Sequence, residues 1–184
     1  MIELVYETHS TTRDNEQGIA TGWLPGELSE AGRERARELG RRRRDDGIDV
    51  VFSSDLRRAV QTVELAFEGS EIPLHQDARL RECNYGDLNG APTAEVTATR
   101  LDRIETPFPN GESYRDVVAR THEFVADLLR EHDGERVLVV AHSANQWALQ
   151  HLLHGKPLAE VIEAPFEWQP GWEYVLDGRA ATIL

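Results

Sequence analysis

Apolar positions along the chain follow two periods. Ile2 to Tyr6 is a short apolar run with the length of a strand, Val50 to Phe52 is a second, and Val137 to Ala141 is the most apolar. The last lacks the alternation of a half-solvated strand, which predicts a central parallel strand covered on both faces. Between these runs the period lengthens. Ser29 is placed to cap a helix over Arg33 to Arg44, and a second helix spans Leu56 to Phe67. Ser113 precedes apolar residues at Tyr114, Val117, Val118, Thr121, Phe124, Val125, Leu128 and Leu129, one helical stripe ended by Asp133-Gly134. A further helix follows from Ala144 to Leu153. Strand and helix in alternation predict an α/β fold, a three-layer α/β/α sandwich with a mostly parallel central sheet.

The 184 residues fit one domain, with no internal repeat or linker. No apolar run reaches the roughly 18 residues a membrane span needs, and MIELVYETHS lacks the basic start and small-residue cleavage site of a signal peptide. With Cys83 the sole cysteine, no intrachain disulfide can form, and a cytoplasmic setting is expected. The net charge of −13 argues against a nucleic-acid partner. The one basic run, Arg41 to Arg44, precedes Gly47 and reads as a helix C-terminal turn, where cations suit the dipole. An anionic small-molecule substrate would need a local basic pocket within this acidic field.

Open parallel sheets bind ligands beyond the carboxyl ends of their strands. His9 follows the first strand and His142 follows the central one, so topology brings both to one site. Imidazole serves as nucleophile, acid, base or ligand near neutral pH. Two more segments are candidates. Ser53-Ser54-Asp55-Leu56-Arg57-Arg58 runs from a strand end into a helix start, where backbone N–H groups and the Arg58 fork suit an anion. Arg79-Leu80-Arg81-Glu82-Cys83-Asn84-Tyr85-Gly86 sets a carboxylate among arginines and an aromatic, as a general acid or as a salt-bridged loop residue.

In order along residues 2 to about 155, these segments resemble the histidine phosphatase superfamily, which includes cofactor-dependent phosphoglycerate mutase. Leu4 through Asn15 is similar to the family's opening strand and its Arg-His-Gly-Glu-Thr-x-x-Asn segment. Thr21-Gly22-Trp23, Ser53 to Thr62, Leu80 to Gly90, Phe108 to Ser113 and Val139 to His142 resemble the motifs that follow. The resemblance implies a phosphoglycerate mutase-like fold and a catalytic set of His9, Arg58, Glu82 and His142. His9 would take the phosphoryl group, Arg58 and His142 would stabilise its charge, and Glu82 would protonate the leaving group. Thr8, Ser10, Asn15, Thr21, Gly22, Tyr85 and Ser143 would line the substrate site. No cofactor or metal is implied.

The chain departs from the family beside both histidines. Thr8-His9-Ser10 stands in place of Arg-His-Gly, Thr11 in place of glutamate, and Ser143 in place of glycine. Loss of one charge-stabilising group costs about 3 kcal/mol, some hundredfold in rate. Three outcomes are open: another cation compensates, with Arg13, Arg79 and Arg81 as candidates; the site runs acid/base chemistry on a substrate without phosphate; or the chain is a catalytically inactive binding module. Alternation puts Glu7 on the same side as His9, where its charge would oppose an anion. The sequence after Gly90 does not match the mutase's further basic residues, so mutase activity is not expected. His151 and His154 lie one turn apart without a matching third ligand, and Cys83 lacks a thiolate-stabilising motif. The aromatics from Phe166 to Tyr174 would pack a closing strand, wall an organic substrate, or serve a homodimer contact.

Overall fold

The β-branched and aliphatic run at the N-terminus forms β1 (Ile2–Thr8), and the structure, a computed structural model, describes residues 1–177. The chain continues through α1 (Arg13–Gln17), β2 (Ile19–Ala20), α2 (Glu30–Arg43), β3 (Val50–Ser53), α3 (Arg57–Ala66) and β4 (Leu74–Gln76). It then passes through β5 (Ala91–Pro92), α4 (Thr93–Thr99), α5 (Tyr114–Glu131), β6 (Arg136–Ala141), α6 (Ser143–His154), α7 (Leu158–Glu163) and β7 (Trp172–Leu176). The main sheet has the order β4-β3-β6-β1-β7. Its first four strands are parallel, and β7 adds an antiparallel edge against β1. The strand with the unbroken apolar pattern, β6, is the middle one.

Alternation divides the sheet's side chains between two layers of helices. Leu4, Tyr6, Val137 and Val139 pack with Phe124, Val125 and Leu128 of α5 and Leu149 of α6. Val5, Val51, Leu138 and Val140 pack with Leu39 of α2 and Val63 and Ala66 of α3. Burying side chains of this size gains about 1.5–3 kcal/mol each, which fixes the strand register and with it the positions of the strand ends.

Helix starts follow their caps. Ser29 Oγ accepts from the Gly32 N–H, so α2 begins at Glu30, earlier than the apolar stripe alone indicates. Ser113 and Asp116 form a reciprocal capping box at α5. The Arg41–Arg43 run occupies the last turn of α2, as the charge pattern predicts. The short elements α1, α4, α7, β2, β4 and β5 have no strong period, and the sequence pattern does not reveal them. No helix among the described residues is long and apolar enough to cross a membrane.

Candidate active site

Parallel β1, β6 and β3 end at the same edge of the sheet, and each delivers one group there. The His9 N–H donates to the Ala141 carbonyl (2.9 Å), so β1 and β6 stay paired to their last residues. His142 opens α6 and is fully buried; its carbonyl accepts from Tyr6 Oη at 2.5 Å. Ser54 follows β3, and its Oγ lies 2.6 Å from His142 Nε2. The two imidazole centroids are 5.0 Å apart. Topology alone therefore places the pair correctly.

Hydrogen bonds define the state of His9. Its Nδ1 lies 2.7 Å from the Ser10 carbonyl, which can only accept, so Nδ1 carries the proton. Nε2 keeps its lone pair and receives the Arg58 Nε–H at 3.3 Å. Burial, reinforced by the Arg58 charge, pushes the His9 pKa down to about 3, and the imidazole is neutral at physiological pH. Burial, with Arg58 and His9 nearby, also holds His142 well below the ordinary histidine range. Arg58 itself sits in the first turn of α3, where its Nη groups donate to the carbonyls of Gly22 (2.8 Å) and Leu24 (3.3 Å).

Glu82 faces this pair from a loop held by other residues. Arg120 of α5 donates to the carbonyls of Arg79 (2.6 Å), Arg81 (2.7 Å) and Glu82 (3.0 Å), while Glu112 pairs with it at 3.0 Å. Trp23 Nε1 adds a bond to the Glu82 carbonyl at 2.7 Å. Gly86 (φ +56°) lets the loop pass over Pro109, whose carbonyl would lie 1.9 Å from an added Cβ. Burial raises the Glu82 pKa against the opposing Cys83 N–H bond and the charges of Arg58, Arg100 and Arg120. A carboxyl raised in this way holds its proton more readily than an exposed glutamate does. Cys83 is buried, and burial pushes its thiol well up, away from thiolate chemistry.

His9, Asn15, Thr21, Gly22, Arg58, Glu82, Tyr85 and Ser143 all line one cleft of about 140 Å³. Two expected substrate residues do not, and neither does His142, which is fully buried with its Nε2 on Ser54 Oγ. Thr8 and Ser10 instead line a neighbouring cavity that shares His9 as a wall; the backbone turns at the strand end, so the three consecutive residues do not face one space. The cations expected to compensate at position 8 are elsewhere. Arg81 forms a bidentate pair with Asp55 (2.7 and 2.6 Å) and covers the Trp23 ring, and Arg79 pairs with Asp77 and Asp127. Arg13, which is exposed, does not line the cleft. Glu7 is buried and answered by Arg43 (2.9 Å) and Arg42 (3.1 Å), which offsets the charge expected to oppose an anion.

Arg100 is the cleft residue sequence reasoning missed. It caps the C-terminus of α4, sits over the Trp147 ring at 5.2 Å, and its buried Nε has no partner among the described residues. A lone arginine in a polar stretch gives no signal; only the return of α4 to the cleft identifies it. His151 and His154 bond to the Lys156 carbonyl and Gln150, and no group of three ligating side chains able to hold a metal occurs among the described residues.

Two imidazoles, an arginine and a buried carboxyl gathered beyond the carboxyl ends of parallel strands are the kinds of group that phosphoryl transfer uses. Residues 8–170 match the family described as histidine phosphatase superfamily (branch 1), and the chain belongs to it. A 2,3-bisphosphoglycerate-dependent phosphoglycerate mutase of Methylobacterium radiotolerans is 38% identical over 174 residues, covering 86% of this chain and 82% of that protein. Bacillus stearothermophilus YhfR superposes with a TM-score of 0.84 at 28% identity, over 97% of this chain and 93% of its own. The mycobacterial glucosyl-3-phosphoglycerate phosphatase Rv2419c, solved with VO3, has a TM-score of 0.75 and 33% identity, over 87% and 85% of the two chains. Mutases and phosphatases both occur among these relatives, and phosphoryl transfer is their common chemistry.

Proposed function

We propose that the protein is a phosphoric monoester hydrolase that acts on a small phosphorylated metabolite through a phosphohistidine at His9. The observation that carries this reading is the tautomer of His9. Its Nδ1–H is fixed on the Ser10 carbonyl, and its Nε2 lone pair accepts a long bond from Arg58 (3.3 Å), which an incoming phosphoryl group would displace. In this scheme Nε2 attacks phosphorus in line as the P–O bond to the leaving group breaks. The Glu82 carboxyl gives its proton to the departing oxygen. The Ser10 carbonyl holds the Nδ1–H as positive charge develops on the ring. Glu82, now a carboxylate, then takes a proton from water, which displaces the phosphoryl group and returns His9 to its starting state.

Arg58 and Arg100 supply the cationic stabilisation that phosphoryl transfer requires. Arg100, which also lines the cleft, supplies the second cation that the motif lacks at Thr8. Hydrolysis is favoured over mutase action because the sequence after Gly90 does not match the mutase's further basic residues, and a cleft of about 140 Å³ suits a small ester. The test is hydrolysis of p-nitrophenyl phosphate with alkaline, denaturing quenching of the enzyme during turnover. An acid-labile, base-stable phosphoenzyme absent from His9→Ala is expected. No turnover across a panel of phosphate esters, with no trapped phosphoenzyme, overturns the proposal.

A further inference from the structure

His9 stands between two cavities, and the larger is not the one that holds Glu82. On its other side lies a space of about 350 Å³, walled by Glu7, Thr8, Arg35, Arg42 and Trp168 among others. That volume is within the range of small-molecule sites. It cannot hold the leaving group of a phosphate ester attacked by His9. In-line displacement puts the departing oxygen opposite Nε2, toward Glu82, and Glu82 lines only the smaller cleft.

The wall of this second cavity carries two carboxylates, Glu7 and Glu38, and two guanidinium groups, Arg35 and Arg42. Glu7 is matched by Arg43 at 2.9 Å, behind the wall, so Arg42 at 3.1 Å is a second cation on one carboxylate. Glu38, also in the wall, lies 3.8 Å from Arg41, whose nearer partner is Glu34 at 2.8 Å. Arg35 donates to Thr11 Oγ1 at 2.6 Å and forms no ion pair among the described residues. Of its five N–H donors, most remain free. Arg35 and Arg42 lie two turns apart on α2 and present their guanidinium groups from one face. Trp168 stands over Arg42, 6.0 Å from guanidinium carbon to ring centroid, with its indole 62% exposed. Arg35, which has no ion pair among the described residues, Arg42, which shares Glu7 with Arg43, and a flat aromatic wall suit one kind of ligand.

We propose that this cavity is a second binding site, for an organic anion, a carboxylate or phosphate attached to a flat ring. The anionic group pairs with Arg35 and Arg42, and the ring lies on Trp168. The site is independent of whether His9 turns over phosphate esters, because it is defined by binding alone.

The experiment is isothermal titration calorimetry of the full chain with phenylphosphonate, benzoate and inorganic phosphate, repeated on Arg35→Ala and Trp168→Ala. Both side chains are exposed, so neither variant threatens the fold. A class of phenylphosphonate sites that each variant weakens about tenfold or more is expected, in line with loss of a charge-assisted hydrogen bond or a stacked ring. Benzoate binding to the same class assigns it to organic anions in general, and its failure confines it to phosphate-type groups. Inorganic phosphate should bind that class more weakly than phenylphosphonate. Phenylphosphonate binding that both variants leave unchanged, or no binding up to about 10 mM, overturns the proposal.

Discussion

Acidification should destabilise the protein through His9 before any carboxylate cluster fails. The folded imidazole has its pKa pushed down to about 3, against 6.5 for an ordinary histidine. Between those values the unfolded chain binds a proton that the folded chain refuses. The stabilisation is therefore complete above about pH 6.5 and is lost progressively as the pH falls toward 3. At pH 5.5 the unfolded histidine is about ten-elevenths protonated. Relative to pH 7.5, linkage then removes about 1.4 kcal/mol. His142, whose pKa is also depressed by burial, adds to the wild-type loss with the same sign.

His9→Asn isolates the His9 share, because asparagine does not titrate. Urea denaturation of both proteins at pH 7.5 and 5.5, followed by far-UV circular dichroism, measures it. The wild type should lose about 1.4 kcal/mol more than the variant over this interval, with the urea dependence unchanged. Equal losses would refute the assignment of His9 as a buried neutral imidazole. A smaller loss in the wild type would give the effect the wrong sign.

Three further outcomes follow from the site. Glu82→Gln should lower kcat/KM, which reports the phosphorylation step, by about 10²–10⁴-fold for an alkyl phosphate but much less for p-nitrophenyl phosphate, since nitrophenolate departs without a proton; equal losses of kcat/KM on both esters would remove Glu82 as the acid. Thr8→Arg should leave kcat/KM for aryl phosphates largely unchanged, because position 8 lines the neighbouring cavity and not the cleft, and a rise of about a hundredfold would show that an arginine there does reach the phosphate. Arg100→Ala should raise KM or lower kcat about tenfold or more, the worth of one charged hydrogen bond, while urea stability changes little; unaltered kinetics would assign Arg100 to packing on Trp147.

Strand ends were legible in the sequence because burial makes them so. Val137 to Ala141 can pair only as an inner strand, and its position fixes His142; the same logic fixes His9. Caps at Ser29 and Ser113 were legible for the same local reason, a side-chain oxygen answering free N–H groups. The groups that escaped sequence reading act at long range. Arg120 serves the Glu82 loop from α5, 38 residues away, and Arg100 reaches the cleft because α4 folds back over it. Neither has a local pattern to mark it. The same holds for Glu7, which reads as a charge set against the nucleophile until α2 brings Arg42 and Arg43 to it. The resemblance marked Thr8 and Ser10 as substrate residues by adjacency to His9, but at a strand end adjacent residues can face different spaces.

The bond from His9 Nδ1 to the Ser10 carbonyl also makes this imidazole regioselective. A free histidine can be modified at either nitrogen, whereas here one is covered by its own backbone and the other opens to the cleft. Every electrophile that enters by that route, a phosphoryl donor or an acylating reagent, should be carried on Nε2 alone. Phosphorus NMR separates the two phosphohistidine isomers by chemical shift, so a trapped adduct would record, in a single resonance, which way the ring is held.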